Sequence, residues 1–595
     1  MVPVQKLSVR FLLFLFAIAS ICFQGYIFGY HDHSVQIPYI WWKLNPSLYP
    51  RDLLSESFPY YFALVWDWVA WASLYIPLKY LLLILHIFFR WLFFESLYYL
   101  GLTLSNNKIT ALLSAAAFLF PLHTLGDWVP SPAFVHANVA LPGVIYALAF
   151  FFRGKILLSF ILVGLLFNVH VMHAVFLGFV LFFILLRRRE VFRTFQFWTG
   201  VALGVLLALP TFIPMAKSIG FPVGPDWINV IRLRAAHHIF PFTWTWPWLS
   251  FCIYLFCGYQ AFRRISIHYR QESVMVGAAV LTLCIIGIVF SEIYPIPFIM
   301  RMHIFRSVVI FIIVLTVLIS HYFANELLIA KRQAAFTPYQ AFLIIGTTAL
   351  IYSAYIPLLA SSLYLSSKRR NAILPFVGLI LLFPFMVWAL TSLQYAVPLS
   401  SYFKAEALKV VVVLMTSVLL SGLLFHEQLY PVFKIPVRPT RTISYLGLII
   451  LSLLVIYWKE RIRTQDDFVQ RLPEWIDVQV WARDHSNPDD CFLTPPKYEG
   501  FRVFSRRSII ADWKDGTASF WYPPLASRWL ERMIELHYID RDTLHVIDRY
   551  ESLSREEILN LSRRYNCCYA VFLRPVKESL TVVYYNREFV VYSIP

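Results

Sequence analysis

A single acidic residue between two histidines is the feature of this sequence best suited to chemistry. Asp32 lies between His31 and His33, directly after the first long apolar run of the chain. An ionisable group at the rim of a membrane segment is costly and often functional. Such a carboxylate could accept a proton as a general base or ligate a divalent cation. The structural alternative is an ordinary loop aspartate that caps the following helix.

A second acidic residue, Asp127, follows His123 in the second predicted external loop. We predict that Asp32 and Asp127 are the catalytic carboxylates, with Asp32 as the general base. Helix capping is the alternative for Asp127 as well.

Histidines concentrate on the outer side of the predicted membrane region. Of the 16 in the chain, nine fall in its outer loops or turns: His31, His33, His123, His136, His170, His173, His237, His238 and His303. Protonatable groups that converge on one rim predict a site there. The alternative is that interfacial histidines simply tolerate lipid headgroups. The spacing of His170 and His173 suits a metal or haem ligand pair, and equally a hydrogen-bonded helix turn.

Basic residues on the outer side need an explanation, because short external loops usually carry few of them. Arginine binds phosphate or pyrophosphate through two parallel hydrogen bonds. The alternative is an anchor to anionic lipid headgroups. The predicted set that binds substrate or donor phosphate is His31, His33, His237, His303, Arg301, Arg306, Arg232 and Arg234.

The composition predicts the elements that carry these residues. Of the 595 residues, 59% are apolar and 14% are charged, whereas soluble proteins carry roughly 25% charged residues. These values exclude an ordinary soluble enzyme and predict an α-helical polytopic membrane protein with about 13–15 transmembrane helices. The predicted spans are about 10–29, 78–103, 109–121, 138–152, 156–169, 171–186, 196–215, 247–262, 273–291, 304–322, 338–352, 354–366, 372–391, 407–425 and 443–458.

The net charge of +17 divides unevenly along the chain. Residues 459–595 hold 20 Lys and Arg against 21 Asp and Glu, net −1, which leaves 31 against 13, net +18, in residues 1–458. Charge this basic often indicates nucleic-acid binding, but an excess confined to short loops between apolar runs indicates membrane topology. We therefore predict no nucleic-acid partner.

Basic clusters set the predicted orientation, with the N-terminus cytoplasmic and the C-terminal region outside. The clusters are Arg153/Lys155, Arg187–Arg189, Arg263/Arg264, Lys331/Arg332, Lys368–Arg370 and Lys434/Arg438/Arg441. We predict a transmembrane domain at 1–458, with interfacial helices in its first external loop at 30–76, and a soluble extracytoplasmic α/β domain at 459–595.

The secondary structure of the C-terminal domain is predicted from its residue pattern. Helices are expected at Glu474–Arg483, Trp521–His537 and Arg555–Tyr565, and strands at Cys491–Leu493, Ser508–Ala511, Cys567–Leu573, Leu580–Tyr585 and Phe589–Ser593. Cys491 could pair with Cys567 or Cys568 in an oxidising compartment, or all three could be free thiols.

The whole layout resembles the GT-C superfamily of membrane glycosyltransferases, which includes protein O-mannosyltransferases, aminoarabinose transferases and the catalytic subunit of oligosaccharyltransferase. The resemblance rests on His31–His33, 45–52, Asn168–His170, Arg306 and Arg502–Trp513. It is closest to bacterial polytopic proteins of that general kind. Many members carry an acidic pair after helix one, whereas this chain has one Asp flanked by His. That departure argues against a metal-dependent mechanism. A divalent cation is an alternative, and no cofactor is clearly encoded.

The resemblance implies a donor made of a sugar on a polyprenyl phosphate. It also implies attack by an acceptor hydroxyl that a buried Asp deprotonates, with Arg or His stabilising the departing phosphate. We therefore expect membrane lipid and lipid-linked sugar as partners, an envelope glycan, lipid or protein as acceptor, and the bacterial inner membrane as location. The alternatives are a transporter or flippase for lipid-linked or anionic solutes, or a non-catalytic envelope scaffold.

Overall fold

The computed structural model describes residues 2–119, 122–244, 246–332, 467–575, 577 and 580–595. The predicted spans between 338 and 458 and the basic clusters at 368–370 and 434–441 lie outside the described residues. The helices α1–α14 are Val2–Gln24, His33–Leu44, Leu64–Ala72, Leu78–Ser105, Lys108–Ala116, His136–Phe152, Ile156–Phe167, Val171–Arg187, Phe195–Ile219, Trp227–Ile239, Trp246–Arg264, Arg270–Ile288, Pro297–Met300 and Val308–Arg332. A hairpin of β1 (Leu122–Thr124) and β2 (Asp127–Val129) lies between α5 and α6.

The helices follow the apolar runs closely. In a membrane, the backbone N–H and C=O groups of an apolar run have no water to bind, so they hydrogen-bond to one another in a helix. Within the described residues, four helical segments are long and apolar enough to cross a membrane: Leu78–Ser105, Phe195–Ile219, Arg270–Ile293 and Pro297–Asn325. Other apolar helices are shorter, such as α6 and α7. The first helix ends at Gln24 rather than near residue 29, because Gly25 and Gly29 adopt positive φ and turn the chain.

Residues 30–76, which the sequence predicts to form the first external loop, contain short helices. Besides α2 and α3, a 3₁₀ helix covers Ser55–Tyr60. On α3 and just after it, Trp68, Trp71 and Tyr75 keep more than half of their surface exposed. Exposed Trp and Tyr beside buried Trp66 and Val69 are typical of a helix that lies at a membrane interface.

Two membrane helices approach each other through glycines. A Cβ on Gly164 of α7 would lie 2.2 Å from the carbonyl oxygen of Gly204 on α9. Only a residue without a side chain allows this distance, and small residues permit the same close packing in other membrane proteins. The contact holds α9, an otherwise exposed helix, against the bundle.

We expect Gly164→Ala to lower the free energy of unfolding by about 1–3 kcal/mol, because the methyl group would force the two backbones apart. Gly178 on α8 is the matched control, since a Cβ there meets nothing within 4 Å. The midpoint of thermal unfolding of the two variants in detergent provides the comparison. Equal midpoints for both variants would show that the α7–α9 backbones do not pack this closely.

The C-terminal region is a small α/β structure. Its helices α15–α18 are Asp467–His485, Phe501–Ser505, Leu525–Glu535 and Arg555–Tyr565. Its strands β3–β7 are Cys491–Leu493, Ser508–Ile509, Cys567–Leu573, Thr581–Tyr585 and Phe589–Ser593, in the sheet order β4-β3-β5-β7-β6. Strands β4, β3 and β5 are parallel, and β7 runs antiparallel to β5 and β6. A disulfide joins Cys491 on β3 to Cys567 on β5.

The 30–76 segment, α10 and the C-terminal region share one hydrophobic core. Its fully buried members include Ile37 and Trp66 from the 30–76 segment, Trp227 from α10, and Trp529 from α17. The indole Nε1 of Trp227 donates to the carbonyl of Ser519 at 2.9 Å, which fixes α10 to the C-terminal region. These three parts of the chain therefore lie on the same side of the membrane helices. The boundary at 458/459 stays a prediction.

Candidate functional site

A cavity of about 510 Å³ lies where the membrane helices meet the 30–76 segment and the C-terminal region. Apolar side chains of α7, α8 and α9 form one part of its wall: Phe167, Val171, Val175, Phe212, Met215 and Ile219. Another part is polar and carries Asp32, Gln36, Arg234, Arg301, Arg306 and Lys514. This combination suits an amphiphile with a long apolar chain and an anionic group.

A tight turn brings Asp32 to the cavity wall. Gly29 and His31 both have positive φ, and Gly29 packs against Val503 and Phe504, where a Cβ would lie at 3.2 Å. His33 fixes the turn, because its Nδ1 accepts a hydrogen bond from the Gly29 N–H at 3.2 Å and its Nε2 donates to the Phe134 carbonyl at 3.0 Å. His33 is thus a buried support for Asp32.

Asp32 pairs with a lysine from the C-terminal region. It precedes α2 at the N-cap position but makes no capping hydrogen bond. Its Oδ1 lies 2.6 Å from Nζ of Lys514, while 47% of its side-chain surface stays accessible along the cavity wall. Burial of the turn raises the pKa of the Asp32 carboxyl, but the ammonium of Lys514 outweighs it and holds the pKa below the ordinary value.

Three arginines of the polar wall are held by other groups. Nε of Arg234 donates to the Trp513 carbonyl at 2.8 Å, and Nε of Arg301 donates to the Phe520 carbonyl at 2.7 Å. Nη2 of Arg306 donates to Nε2 of His238 at 3.3 Å. With Lys514, the described lining has four cationic side chains and one carboxylate, a formal excess of three positive charges. Such a cavity attracts an anion.

Histidines form much of the remaining polar wall. His238 donates from Nδ1 to the Gly126 carbonyl at 2.5 Å, which leaves Nε2 as the acceptor for Arg306. Burial, with Arg234 and Arg306 adding to it, lowers the pKa of His237 to about 4, and burial and Arg306 hold the pKa of His238 well below its ordinary value. Both rings are therefore neutral near pH 7 and serve as hydrogen-bonding groups.

Other histidines of the wall have ring nitrogens with no hydrogen-bond partner among the described residues. Both nitrogens of His303 and Nε2 of His170 are buried without one. His170 stacks on His136 at 4.8 Å and touches His173 through Nδ1 at 2.9 Å. Within the described ranges, no group of three or more His, Cys, Asp or Glu is arranged to hold a metal ion. These histidines are thus available to hydrogen-bond a bound molecule.

The structure brings together part of the predicted site. Asp32, His237, His303, Arg301, Arg306 and Arg234 line the cavity. His31 is exposed and stacks on Tyr30, and Arg232 is exposed and stacks over the ring of Phe240 at 4.0 Å. Asp127 stands at the start of β2, paired with Thr124, and the Gly126 beside it contacts His238 and Phe305. The hairpin thus abuts the cavity wall.

Lys514 is the main residue that the sequence prediction missed. It lies two residues after Asp512, directly beyond the Arg502–Trp513 segment. Nothing in the local sequence distinguished this lysine from the 19 other Lys and Arg of residues 459–595. Its partner Asp32 is 482 positions away, so only the fold reveals the pair.

A buried ionic cluster supports the Lys514 segment. The side chain of Arg502 is completely buried; its Nη atoms donate to both oxygens of Asp515 at 2.9 and 2.8 Å, and its Nε donates to Asp52 at 2.6 Å. Asp512 lies at 3.5 Å and accepts from the backbone N–H groups of Lys514 and Asp515. Every charge in the cluster has a partner, as a buried ion pair requires.

Comparison with known proteins supports the architecture. Residues 473–536, which contain Arg502, Asp512, Lys514 and Asp515 but not Asp52, match a family described as a domain of unknown function, DUF6798. No curated protein sequence matches the chain. A crystal structure of ArnT from Cupriavidus metallidurans bound to undecaprenyl phosphate is similar over 99% of this chain and 97% of that one, with a TM-score of 0.50 and 13% identity. Its apo form aligns with a TM-score of 0.45 and 12% identity over 99% and 98% of the chains.

The chain therefore has a GT-C-like polytopic fold, ending in a small domain built on a β-sheet. It is an integral membrane protein, since its apolar helices and this fold agree. The predicted fold class is confirmed.

Proposed function

We propose that the protein is a membrane glycosyltransferase that moves a sugar from a polyprenyl-phosphate donor to an acceptor on the outer side of the membrane. The cavity is the observation that carries this proposal. It combines an apolar wall from membrane helices with an excess of cations and a single carboxylate among its described lining residues. A GT-C-like fold, shared with a structure that holds undecaprenyl phosphate, supports the same class of donor.

The apolar wall suits the lipid chain of such a donor. Helix α9 borders the cavity through Phe212, Met215 and Ile219. Only 17% of its apolar span is buried inside the protein, which leaves an apolar surface suited to contact with lipid. A donor dissolved in the bilayer would then need to pass only the edge of this helix to place its phosphate near Arg301 and Arg306.

The chemistry assigned to the site is one inverting displacement. An acceptor hydroxyl attacks the anomeric carbon as Asp32 takes its proton, and the bond from that carbon to the phosphate oxygen breaks. The lipid phosphate leaves with the bonding electron pair, and Arg301 and Arg306 stabilise its charge. The neutral rings of His237 and His238 could hydrogen-bond to sugar hydroxyls.

The proposed orientation places the cavity and the C-terminal domain outside the cytoplasm, in the bacterial inner membrane. The disulfide between Cys491 and Cys567 supports it, because disulfides persist in oxidising compartments. The short basic loops after α6 and α8, with Arg153 and Arg187–Arg189, would then face the cytoplasm.

Every donor of this class releases a polyprenyl phosphate whatever its sugar, so binding of undecaprenyl phosphate, one such lipid, tests the class without knowledge of the sugar. We expect undecaprenyl phosphate to raise the unfolding midpoint of the purified protein in detergent, by mass action. Undecaprenol, which lacks the phosphate, should raise it far less. A variant with Arg301→Gln and Arg306→Gln should lose the difference between the two lipids. If the lipids act equally on the unchanged protein, the proposed donor is wrong.

A second assay separates transfer from transport. Proteoliposomes carrying undecaprenyl-phosphate-linked hexoses labelled in the sugar are incubated with an envelope extract as the acceptor source. Label in a new covalent product, with release of undecaprenyl phosphate, supports the transferase. Movement of the intact labelled lipid to the other leaflet, without a product, would establish the flippase alternative instead.

A further inference from the structure

We infer that Lys514 is a shared counter-ion that leaves Asp32 for the phosphate of the donor, so that donor binding itself frees the base. This inference rests on the proposed function. It assigns a donor-binding and positioning role to a residue of the DUF6798 segment. The cavity contains both partners of the pair, Nζ of Lys514 and Oδ1 of Asp32, at 2.6 Å.

The pair as it stands is poorly suited to base catalysis. An ammonium in hydrogen-bond contact lowers the pKa of the Asp32 carboxyl and thereby weakens its affinity for a proton. It also occupies Oδ1, one of the two oxygens that could receive the proton of an acceptor hydroxyl. A general base works best with a pKa close to the working pH. Removal of the ammonium would both raise the pKa of Asp32 and expose its oxygen.

Lys514 differs from the arginines of the wall in how it is held. Arg234, Arg301 and Arg306 donate to carbonyl or imidazole acceptors, as described above. Lys514 is paired to a carboxylate whose surface is 47% accessible, and such half-exposed pairs contribute little stability. Its flexible four-carbon stem lets the ammonium pivot without any backbone movement.

The backbone on both sides of Lys514 is firmly fixed. The Lys514 N–H donates to Oδ1 of Asp512 at 2.9 Å, and Asp512 and Asp515 form a reciprocal capping box. The Trp513 ring packs between Arg234 and Trp529. A fixed backbone with a flexible side chain suits an ammonium group that exchanges between two anions within one cavity.

If Lys514 moves from Asp32 to the donor phosphate, the carboxylate and the phosphate must compete for it, and binding measurements can detect this competition. A phosphate that takes Lys514 must break the pair with Asp32, so the two anions compete for one ammonium. We expect Asp32→Asn to bind undecaprenyl phosphate about two- to fivefold more tightly, a range that corresponds to a half-exposed ion pair. Lys514→Gln should bind it more weakly than the unchanged protein, and Lys514→Arg should restore much of the binding.

A double variant, Asp32→Asn with Lys514→Gln, distinguishes competition for Lys514 from simple repulsion between Asp32 and the phosphate. Asp32→Asn also removes a negative charge near the phosphate, and its effect in the Lys514→Gln background reports that repulsion alone. Competition requires a larger gain when Lys514 is present. Dissociation constants for undecaprenyl phosphate, measured by native mass spectrometry on the four proteins, give both effects, and unfolding midpoints confirm that each variant is folded.

The outcomes distinguish the two levels of the proposal. If the unchanged protein does not bind undecaprenyl phosphate, the proposed function itself fails. If it binds, but the gain from Asp32→Asn is the same with and without Lys514, the shared counter-ion is wrong and the donor assignment stands. A transfer assay adds an independent check, since Lys514→Gln should raise KM for the donor, whereas a purely structural lysine would alter stability with KM unchanged.

Discussion

Asp32→Asn should lower kcat for sugar transfer by about 10²–10⁴-fold, because the acceptor hydroxyl would lose its general base. Asparagine keeps the size of the side chain and can accept a hydrogen bond, but it cannot take a proton at neutral pH. KM for the donor should not rise, since Asp32 repels the phosphate and competes with it for Lys514. Initial rates with purified protein in proteoliposomes, at saturating donor, provide the measurement.

Two variants accompany this test. Asp67→Asn is the matched control, because Asp67 lies in the same 30–76 segment, pairs with Lys43 at 3.2 Å and does not line the cavity. It should retain near-normal turnover. Asp127→Asn tests the second predicted carboxylate, and a loss comparable to that of Asp32→Asn would give it a catalytic role. Normal turnover of a folded Asp32→Asn protein would remove Asp32 from the mechanism.

Replacement of the buried arginine should have the largest effect on stability. We expect Arg502→Met to reduce the free energy of unfolding by about 3–5 kcal/mol, since it leaves three carboxylates without their shared cation in a dry interior. Thermal unfolding in detergent gives the comparison. Arg506→Met is the control, because Arg506 is exposed and stacks over Trp41 at 4.1 Å. This variant should lose less than about 1 kcal/mol of the free energy of unfolding. Equal losses would mean that the cluster does not stabilise the fold.

The pH dependence of the Arg502→Met defect has a definite sign. Burial raises the pKa of Asp52 and Asp512, and that of Asp515 to about 7, above the value of about 4 in an unfolded chain. Between about pH 4 and pH 7 the folded state therefore binds more protons than the unfolded state, and a lower pH favours folding. Without Arg502 to oppose that shift, the defect should be greatest near pH 8 and should shrink towards pH 4.

Local patterns were sufficient to predict most of the described fold. The helix Arg555–Tyr565 and the strands Cys567–Leu573 and Phe589–Ser593 have the predicted bounds, because each combines a strong residue pattern with a clear terminator. Ser554 and Glu557, for example, form a capping box that starts the helix. The short helix Phe501–Ser505 was missed, since five residues are too few for a helical period to show.

The site was harder to predict, because its residues converge from distant positions. Asp32 stood out, since acids are rare in residues 1–458, and it does line the cavity. His33 is the next residue in the sequence, yet its ring hydrogen-bonds to Gly29 and Phe134 and supports the turn that contains Asp32. Side-chain direction in a turn depends on φ at Gly29 and His31, which residue types alone do not determine.

The Arg502 cluster also has a consequence for biogenesis. Asp52 and Arg502 are 450 residues apart, and at roughly 5–20 residues per second a ribosome takes on the order of 20–90 s to make the intervening chain. During that interval the 30–76 segment has its carboxylate in place but not its cation. Water must serve as the temporary partner of Asp52. Asp32, the proposed general base on the same segment, is thus held in its final position only after almost the entire polypeptide has been translated and inserted.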